Sequence, residues 1–213
     1  MFKTRVILLS LLTISLFAWI SFSGLWKLAK SRSGIEKPRS YTLAATGTSK
    51  IKSKAEEAKT FATQKGFNPQ ICLLVDMSMA SGQNRFFVYD MIKDTIRNSG
   101  LVTHGRCNQW WLEGRKYGNT VGCGCTSLGR YKIGHSYQGR FGLAYKLYGL
   151  DKTNDKAFQR FVVLHSHACV PESEVKDEIC QSDGCPTVSV NFLKYLKPII
   201  DNSGKPVLLW IFE

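Results

Sequence analysis

The 213-residue chain has no internal repeat, no low-complexity tract, no pair of cysteines separated by two residues in the zinc-finger manner and no dense block of lysine or arginine. These absences exclude a repeat solenoid and extensive disorder, and they set nucleic acid aside as a partner, because nucleic-acid readers concentrate their basic charge or carry a metal-knuckle signature. Acidic residues are few, 16 against 29 lysines and arginines, for a formal net charge of +13. A surplus of that size suits an anionic partner such as cell-wall polymer or lipid headgroups without choosing between them. Seven cysteines is an odd number, which in an exported protein leaves at least one thiol unpaired and open to chemistry; a reduced protein with inert core thiols is the alternative.

What is present first is an uncharged run from Val6 to Trp26, preceded by Lys3 and Arg5. At about 1.5 Å of helical rise per residue it is long enough to cross a bilayer core. Its exit, Ser21-Phe22-Ser23, is a poor cleavage site, so residues 1–30 read as an uncleaved transmembrane signal anchor, with secretion after cleavage as the alternative. Lys27, Lys30, Arg32, Lys37 and Arg39 follow the span. By the positive-inside rule these charges would hold the body of the protein in the cytoplasm. Residues 31–52 read as a basic polar linker. Ser53 is placed to cap a short helix over 53–66, in which Ala55, Ala58 and Ala62 recur at helical spacing and Gly66 closes the end. Its small apolar face predicts loose packing.

Residues 67–213 read as mainly β with a few short helices. Ile71 to Val75, Arg85 to Asp90 and Asp94 to Val102 are short apolar or β-branched runs joined by polar turns, the pattern of a β-meander. Tyr131 to Ile133, Leu143 to Leu147 and Phe161 to Leu164 are further strand candidates, and Val207 to Phe212 is a final apolar strand. Glu172 to Ile179 has helical composition. Ser189 is placed to cap a helix carrying Phe192, Leu193 and Leu196, with Pro198 beginning a second turn or kinking the first. Between the two groups of strands, residues 105–126 are rich in glycine and cysteine and lack periodicity, as functional loops of that length do.

Chemistry concentrates in Phe161-Val162-Val163-Leu164-His165-Ser166-His167 and, further on, Ser182-Asp183-Gly184-Cys185-Pro186. The first stretch delivers a histidine at the end of an apolar strand. In the second, a glycine frees the backbone just before a cysteine, so that consecutive amides can converge on an oxyanion. A cysteine nucleophile needs an imidazole to take its proton, and the imidazole needs a third group to orient it.

His165-x-x, then fourteen residues (168–181), then Ser182-x-Gly184-Cys185 resembles the catalytic signature of YkuD-type L,D-transpeptidases, most nearly the murein L,D-transpeptidase catalytic domain branch with its Gly-Cys-Pro. The resemblance extends to Arg85-Phe86-Phe87-Val88-Tyr89-Asp90, Thr103-His104-Gly105-Arg106, Ser127-Leu128-Gly129, Tyr137-Gln138-Gly139 and Leu147-Tyr148-Gly149-Leu150, and so covers nearly everything from Phe67 onward. It implies a YkuD-like β-sandwich or open barrel. It implies Cys185 as nucleophile, His165 as general base and Ser166 holding the ring through its main chain, with the Gly184 and Cys185 amides facing the oxyanion. It also implies acyl transfer on peptidoglycan stem peptides giving 3→3 cross-links, with neither metal nor organic cofactor. An L,D-carboxypeptidase or a hydrolase releasing cross-links or lipoproteins from the same acyl-enzyme is the first alternative; a non-catalytic wall-binding module is the second. Such a substrate lies outside the cytoplasmic membrane, so the domain is expected to face the periplasm or cell wall despite the charges that follow the anchor.

One departure from the family is Asp183, where many members carry histidine. Its acidic group either raises the thiol pKa or meets the substrate amine. Ser182, Asp183 and His167, with Arg106, Trp110 and Trp111 from the long loop, complete the expected substrate-binding set: indole faces stack on sugar rings and cations suit muropeptide carboxylates. Anchoring the surface loop is the equal alternative for the two tryptophans. His104 is read as structural and His135 as a surface residue. Cys169 and Cys180 flank the insert between base and nucleophile, and a disulfide there would close it. Cys123 and Cys125 are too near to pair with each other easily, so each looks to Cys107 or elsewhere. A metal site from Cys107, Cys123, Cys125 and a histidine is the less favoured use of these thiols.

Overall fold

The computed structural model describes residues 45–213; the expected anchor over 1–30 and most of the linker lie outside them. Among the described residues no helix is long and apolar enough to cross a membrane. Ten elements follow in order: α1 (Ala45–Lys65), β1 (Ile71–Asp76), β2 (Phe86–Asp90), β3 (Thr95–Gly100), β4 (Gly129–Gly139), β5 (Gly142–Gly149), β6 (Val163–Ser166), β7 (Thr187–Val188), α2 (Val190–Asp201) and β8 (Leu208–Phe212).

The eight strands form one sheet in the order β3-β2-β1-β8-β4-β5-β6-β7. The expected meander is its first third, β1 to β3 pairing antiparallel in sequence. The last strand, β8, inserts beside β1 in parallel and beside β4 in antiparallel register, so it becomes the seam between the two halves. The sheet's two edges then meet: Val102, just past β3, bridges Val188 of β7, and the Thr103 amide donates to the Thr187 carbonyl at 2.9 Å.

Central position explains why β1 and β8 read as unbroken apolar runs. Leu73, Val75, Leu209 and Ile211 point to one core, which α2 covers with Phe192, Leu193 and Leu196. Cys72, Leu74, Leu208 and Phe212 point to the other, which α1 covers. Strands buried on both faces do not alternate.

The helix expected over 53–66 begins earlier, at Ala45, and is not loosely packed. Ile51, Ala55, Ala58 and Ala62 are all at most 3% exposed against the sheet. Alanine along the contact line lets the helix axis lie close to the strands, and Ile51, missed in the shorter helix, adds about 1.5–3 kcal/mol of burial. Gly66 follows with φ +74°, the left-handed conformation of a C-cap.

The helix expected over 172–179 is absent; the segment is irregular. Tertiary partners take its hydrogen bonds instead. Val175 donates its amide to the Gly82 carbonyl at 2.9 Å, and Glu174 accepts from the Asn84 amide at 2.8 Å. Glu172 accepts from Ser189 Oγ at 2.6 Å and from the Asn191 amide at 3.1 Å, so it serves the first turn of α2. Ser189 is the N-cap of α2, accepting from the Phe192 amide at 3.3 Å, and the helix continues through Pro198.

Candidate active site

His165 sits on β6, paired in register with Ala144 of β5 on one side and Thr187 of β7 on the other. Cys185 lies two residues before Thr187, which puts the two side chains on the same face of the β7 approach. Phe161, expected in the strand, instead turns ahead of it with φ +56° and its ring 84% exposed. That turn aims the Phe161 carbonyl and the Val163 amide at the same sulfur: Cys185 Sγ is 3.8 Å from Phe161 O and accepts from Val163 N–H at 3.5 Å.

Neither of these bonds goes to the imidazole, which is held from both ends by other groups. His165 Nδ1 lies 3.1 Å from the Ser166 carbonyl and Nε2 3.0 Å from Thr187 Oγ1. The ring of Phe141, at the tip of the β4–β5 hairpin, stacks on it at a centroid distance of 5.2 Å and meets His167 edge-on at 5.3 Å. Burial lowers the His165 pKa; the Ser166 carbonyl works against that shift and His167 adds to it. Burial likewise raises the Cys185 pKa. The Val163 amide opposes it, Asp183 reinforces it and Arg160 opposes it. At neutral pH the two groups therefore stand as thiol and neutral imidazole rather than as an ion pair.

Both line one cavity of about 400 Å³, within the range of small-molecule sites. Arg106, Trp110, Trp111, His167, Ser182 and Asp183 share its wall, so the residues expected from the long loop and those beside the cysteine do meet. Ser166 touches the site through its carbonyl. Gly184 is buried behind the cysteine with φ +104°, and its amide donates to Ser182 Oγ at 3.2 Å. Asp183 is paired with Arg106 at 2.7 Å, so its charge at the cavity mouth is partly neutralised. Trp110 is 94% exposed, yet its loop is well anchored. Leu112 exchanges two hydrogen bonds with the Gln181 side chain at 2.9 and 2.8 Å, and a Cys107–Cys125 disulfide closes the base of the loop.

Cys169 and Cys180 are joined, tying off the insert between His165 and Cys185. Of the three thiols weighed as metal ligands, two are thus in a disulfide and Cys123 is free. Of the other free thiols among the described residues, Cys72 is buried in the α1-side core with its pKa pushed up to about 12, which makes it inert, and Cys185 is half-buried and lines the cavity. His104 is structural, as expected: buried, accepting from Arg85 at 3.2 Å, with its pKa lowered to about 4 by burial and then by Arg85 and Arg115.

Three neighbours of the pair escaped the sequence reading. Thr187 was within reach, because strand alternation puts it beside Cys185. Thr103, whose hydroxyl lies 3.2 Å from the Cys185 carbonyl, stands in a stretch that carried the resemblance without being assigned to the site, and Phe141, whose hairpin folds back over the histidine, carries no local signal.

With this geometry in place, the family question has a direct answer. The L,D-transpeptidase catalytic domain family matches residues 40–211. The chain belongs to that family. No curated protein matches it. Among solved structures, the L,D-transpeptidase of Xylanimonas cellulosilytica is 13% identical with a TM-score of 0.39, over 72% of this chain and 68% of that one. The L,D-transpeptidase of Mycobacterium smegmatis is 10% identical with a TM-score of 0.41, over 68% of this chain and 59% of that one. The helical cell shape determining protein Pgp2 of Campylobacter jejuni, as a K307A mutant, is 16% identical with a TM-score of 0.42; the match covers 68% of this chain and 47% of that one, so the chain spans about half of that protein's length. Membership rests on the match over 40–211, which starts within the segment read as linker and takes in all of α1 as well as the strands.

Proposed function

We propose that this L,D-transpeptidase domain forms 3→3 peptidoglycan cross-links through an acyl-enzyme on Cys185. The observation that carries the reading is the shared cavity: a half-buried free thiol and a ring tethered by its own main chain, brought together from segments twenty residues apart. The thiol at rest is turned toward Phe161 and Val163. Rotation about its χ1 brings Sγ to His165, which takes the proton. The thiolate attacks the carbonyl at the L-centre of diaminopimelate in a tetrapeptide stem, the Cys185 amide receives the oxyanion, joined by the Gly184 amide once it leaves Ser182 Oγ, and His165 returns the proton to the departing D-alanine. The amine of a second stem then resolves the thioester. Trp110 and Trp111 offer indole faces to the sugar bearing the stem, and Arg106, when released from Asp183, meets a stem carboxylate.

The domain is placed outside the cytoplasmic membrane, held there by residues 1–30. The Cys107–Cys125 and Cys169–Cys180 bridges support an oxidising compartment. Incubation with a carbapenem followed by mass spectrometry tests the nucleophile: one adduct on the Cys185 peptide is expected, and none in Cys185→Ala. A folded protein that forms no adduct overturns the reading. Tetrapeptide muropeptides test the acceptor, since dimers mark transpeptidation and tripeptides alone mark hydrolysis.

A further inference from the structure

Cys107 has two candidate partners across its loop, Cys123 and Cys125; the structure bonds it to the second and holds the first alongside. Residues on either side of Cys123 are fastened to the Cys107 end of the loop. The Cys107 amide donates to the Gly124 carbonyl at 3.0 Å, and Asn108 Nδ2 donates to the Gly122 carbonyl at 2.7 Å. Gly124 packs so near that a β-carbon there would stand 2.6 Å from Asn108 Oδ1. The Cys123 sulfur accepts from the Cys125 amide at 3.4 Å. Gly118 faces both sulfurs: a β-carbon on it would lie 3.4 Å from Cys123 Sγ and 3.5 Å from Cys125 Sγ. A half-buried thiol thus sits beside an intact disulfide, with no side chain at Gly118 to part them. Freedom to move is present as well, because Gly122 and Gly124 flank Cys123 with φ +79° and +64° and carry no β-carbon to oppose a change of backbone. Attack by Cys123 on Cys125 Sγ would join cysteines with a single residue between them, too near to bridge easily. Attack on Cys107 Sγ closes a loop two residues shorter than the present one, which alters its closure entropy very little.

We propose that Cys123 is a thiol–disulfide exchange site that moves the bridge from Cys107–Cys125 to Cys107–Cys123, and with it the cavity wall next to Cys107. Cys123 gives its proton to water and its thiolate attacks Cys107 Sγ. The Cys107–Cys123 bond forms as the Cys107–Cys125 bond breaks, and the electron pair leaves on Cys125 Sγ, which takes up a proton from water. One disulfide and one thiol stand on each side, so neither oxidant nor reductant is consumed. Cys125 is 4% exposed, so the exchange exchanges a half-exposed thiol for a hidden one. The Cys125 carbonyl keeps its bond from Arg160, a main-chain contact that the bridge does not supply, and the turn behind Cys185 stays supported in both forms. Cys107 is the partner that shifts, and Arg106 and Trp110 shift with it on the cavity wall. The exchange does not rest on the enzymatic reading; its effect on what the cavity takes up does.

The test maps the bridge in the full chain. Incubation in mildly alkaline buffer allows exchange, and denaturation in acid stops it by protonating the attacking thiolate. Alkylation with N-ethylmaleimide in that acid, followed by digestion and fragmentation across Gly124, shows whether Cys123 or Cys125 was free. Both labels are expected, the Cys125 label on at least about 10% of the protein. In Cys125→Ser the Cys107–Cys123 bridge should form, and in Cys123→Ser the Cys107–Cys125 bridge should remain. The half-saturating concentration of the carbapenem should rise about threefold or more in Cys125→Ser and stay unchanged in Cys123→Ser. Label on Cys123 alone in the unaltered protein, which requires no variant to fold, overturns the proposal. So does folded Cys125→Ser in which Cys107 and Cys123 both take the label. Equal half-saturating concentrations in the two variants overturn the coupling to the cavity. The bridge can be mapped even if Cys185 never acylates, so its outcomes are separate from failure of the enzymatic reading.

Discussion

The carbonyl oxygen of Cys125 lies 2.5 Å from the point where a β-carbon at Gly184 would stand. The loop closed by the Cys107–Cys125 disulfide is therefore packed directly behind the turn that presents Cys185. Arg160 fastens it there, donating to the Cys125 carbonyl at 2.5 Å and to that of Gly118 at 2.9 Å.

Gly184→Ala follows from that contact. The added methyl meets backbone that cannot yield as a side chain would, and φ +104° is unfavourable for any residue with a β-carbon. Stability should fall by about 2 kcal/mol or more in urea denaturation, and Cys185 acylation should slow at least ~10-fold because the turn is displaced. A variant with native stability and native rate would show that the close approach is not needed.

The acidity of the nucleophile gives a second expectation. Burial disfavours the thiolate, so the rate of Cys185 alkylation by iodoacetamide should rise with pH through a midpoint above the ordinary thiol value of 9.0. Asp183→Asn removes a neighbouring negative charge and should lower that midpoint; Arg160→Met removes a positive one and should raise it. The Asp183 effect should be less than about threefold in rate at neutral pH, because the carboxylate is exposed and paired with Arg106. A midpoint below that of a free thiol would mean that the resting pair is ionised.

The bridge between Cys169 and Cys180 closes a short loop, 11 residues apart in sequence, and also holds Glu172 where it serves the start of α2. Replacing both by serine should cost about 2–3 kcal/mol from loop closure. Thermal unfolding of the double variant against the unaltered protein measures it. No change in Tm would mean that the packing of Val170 and Ile179 on Leu101 holds the insert unaided.

Much of the fold was legible because its signals are local. Ile71 to Val75 and Val207 to Phe212 are apolar without alternation, which marks strands covered on both faces, and Ser189 ahead of Phe192 marks a helix start. The failures have equally definite causes. Glu172 to Ile179 favours a helix by composition, but Gly82, Asn84 and Ser189 claim its polar groups. Residues before Ser53 look like linker until Ile51 is seen buried against the sheet, a contact with strands more than twenty residues away.

The residues around the candidate site divide the same way. Glycine before cysteine and histidine at a strand end are chemical statements that the chain makes about itself, and together with the spacing between them they were enough to indicate the family. Sequence also bounded the cysteine pairings without choosing among them. Only the tertiary structure turned Cys185 toward Val163 at rest, laid Phe141 over His165 and gave Nε2 to Thr187. Those relations depend on which strand lies beside which and in what register, and register is decided by the whole sheet closing on itself rather than by any stretch of sequence read alone.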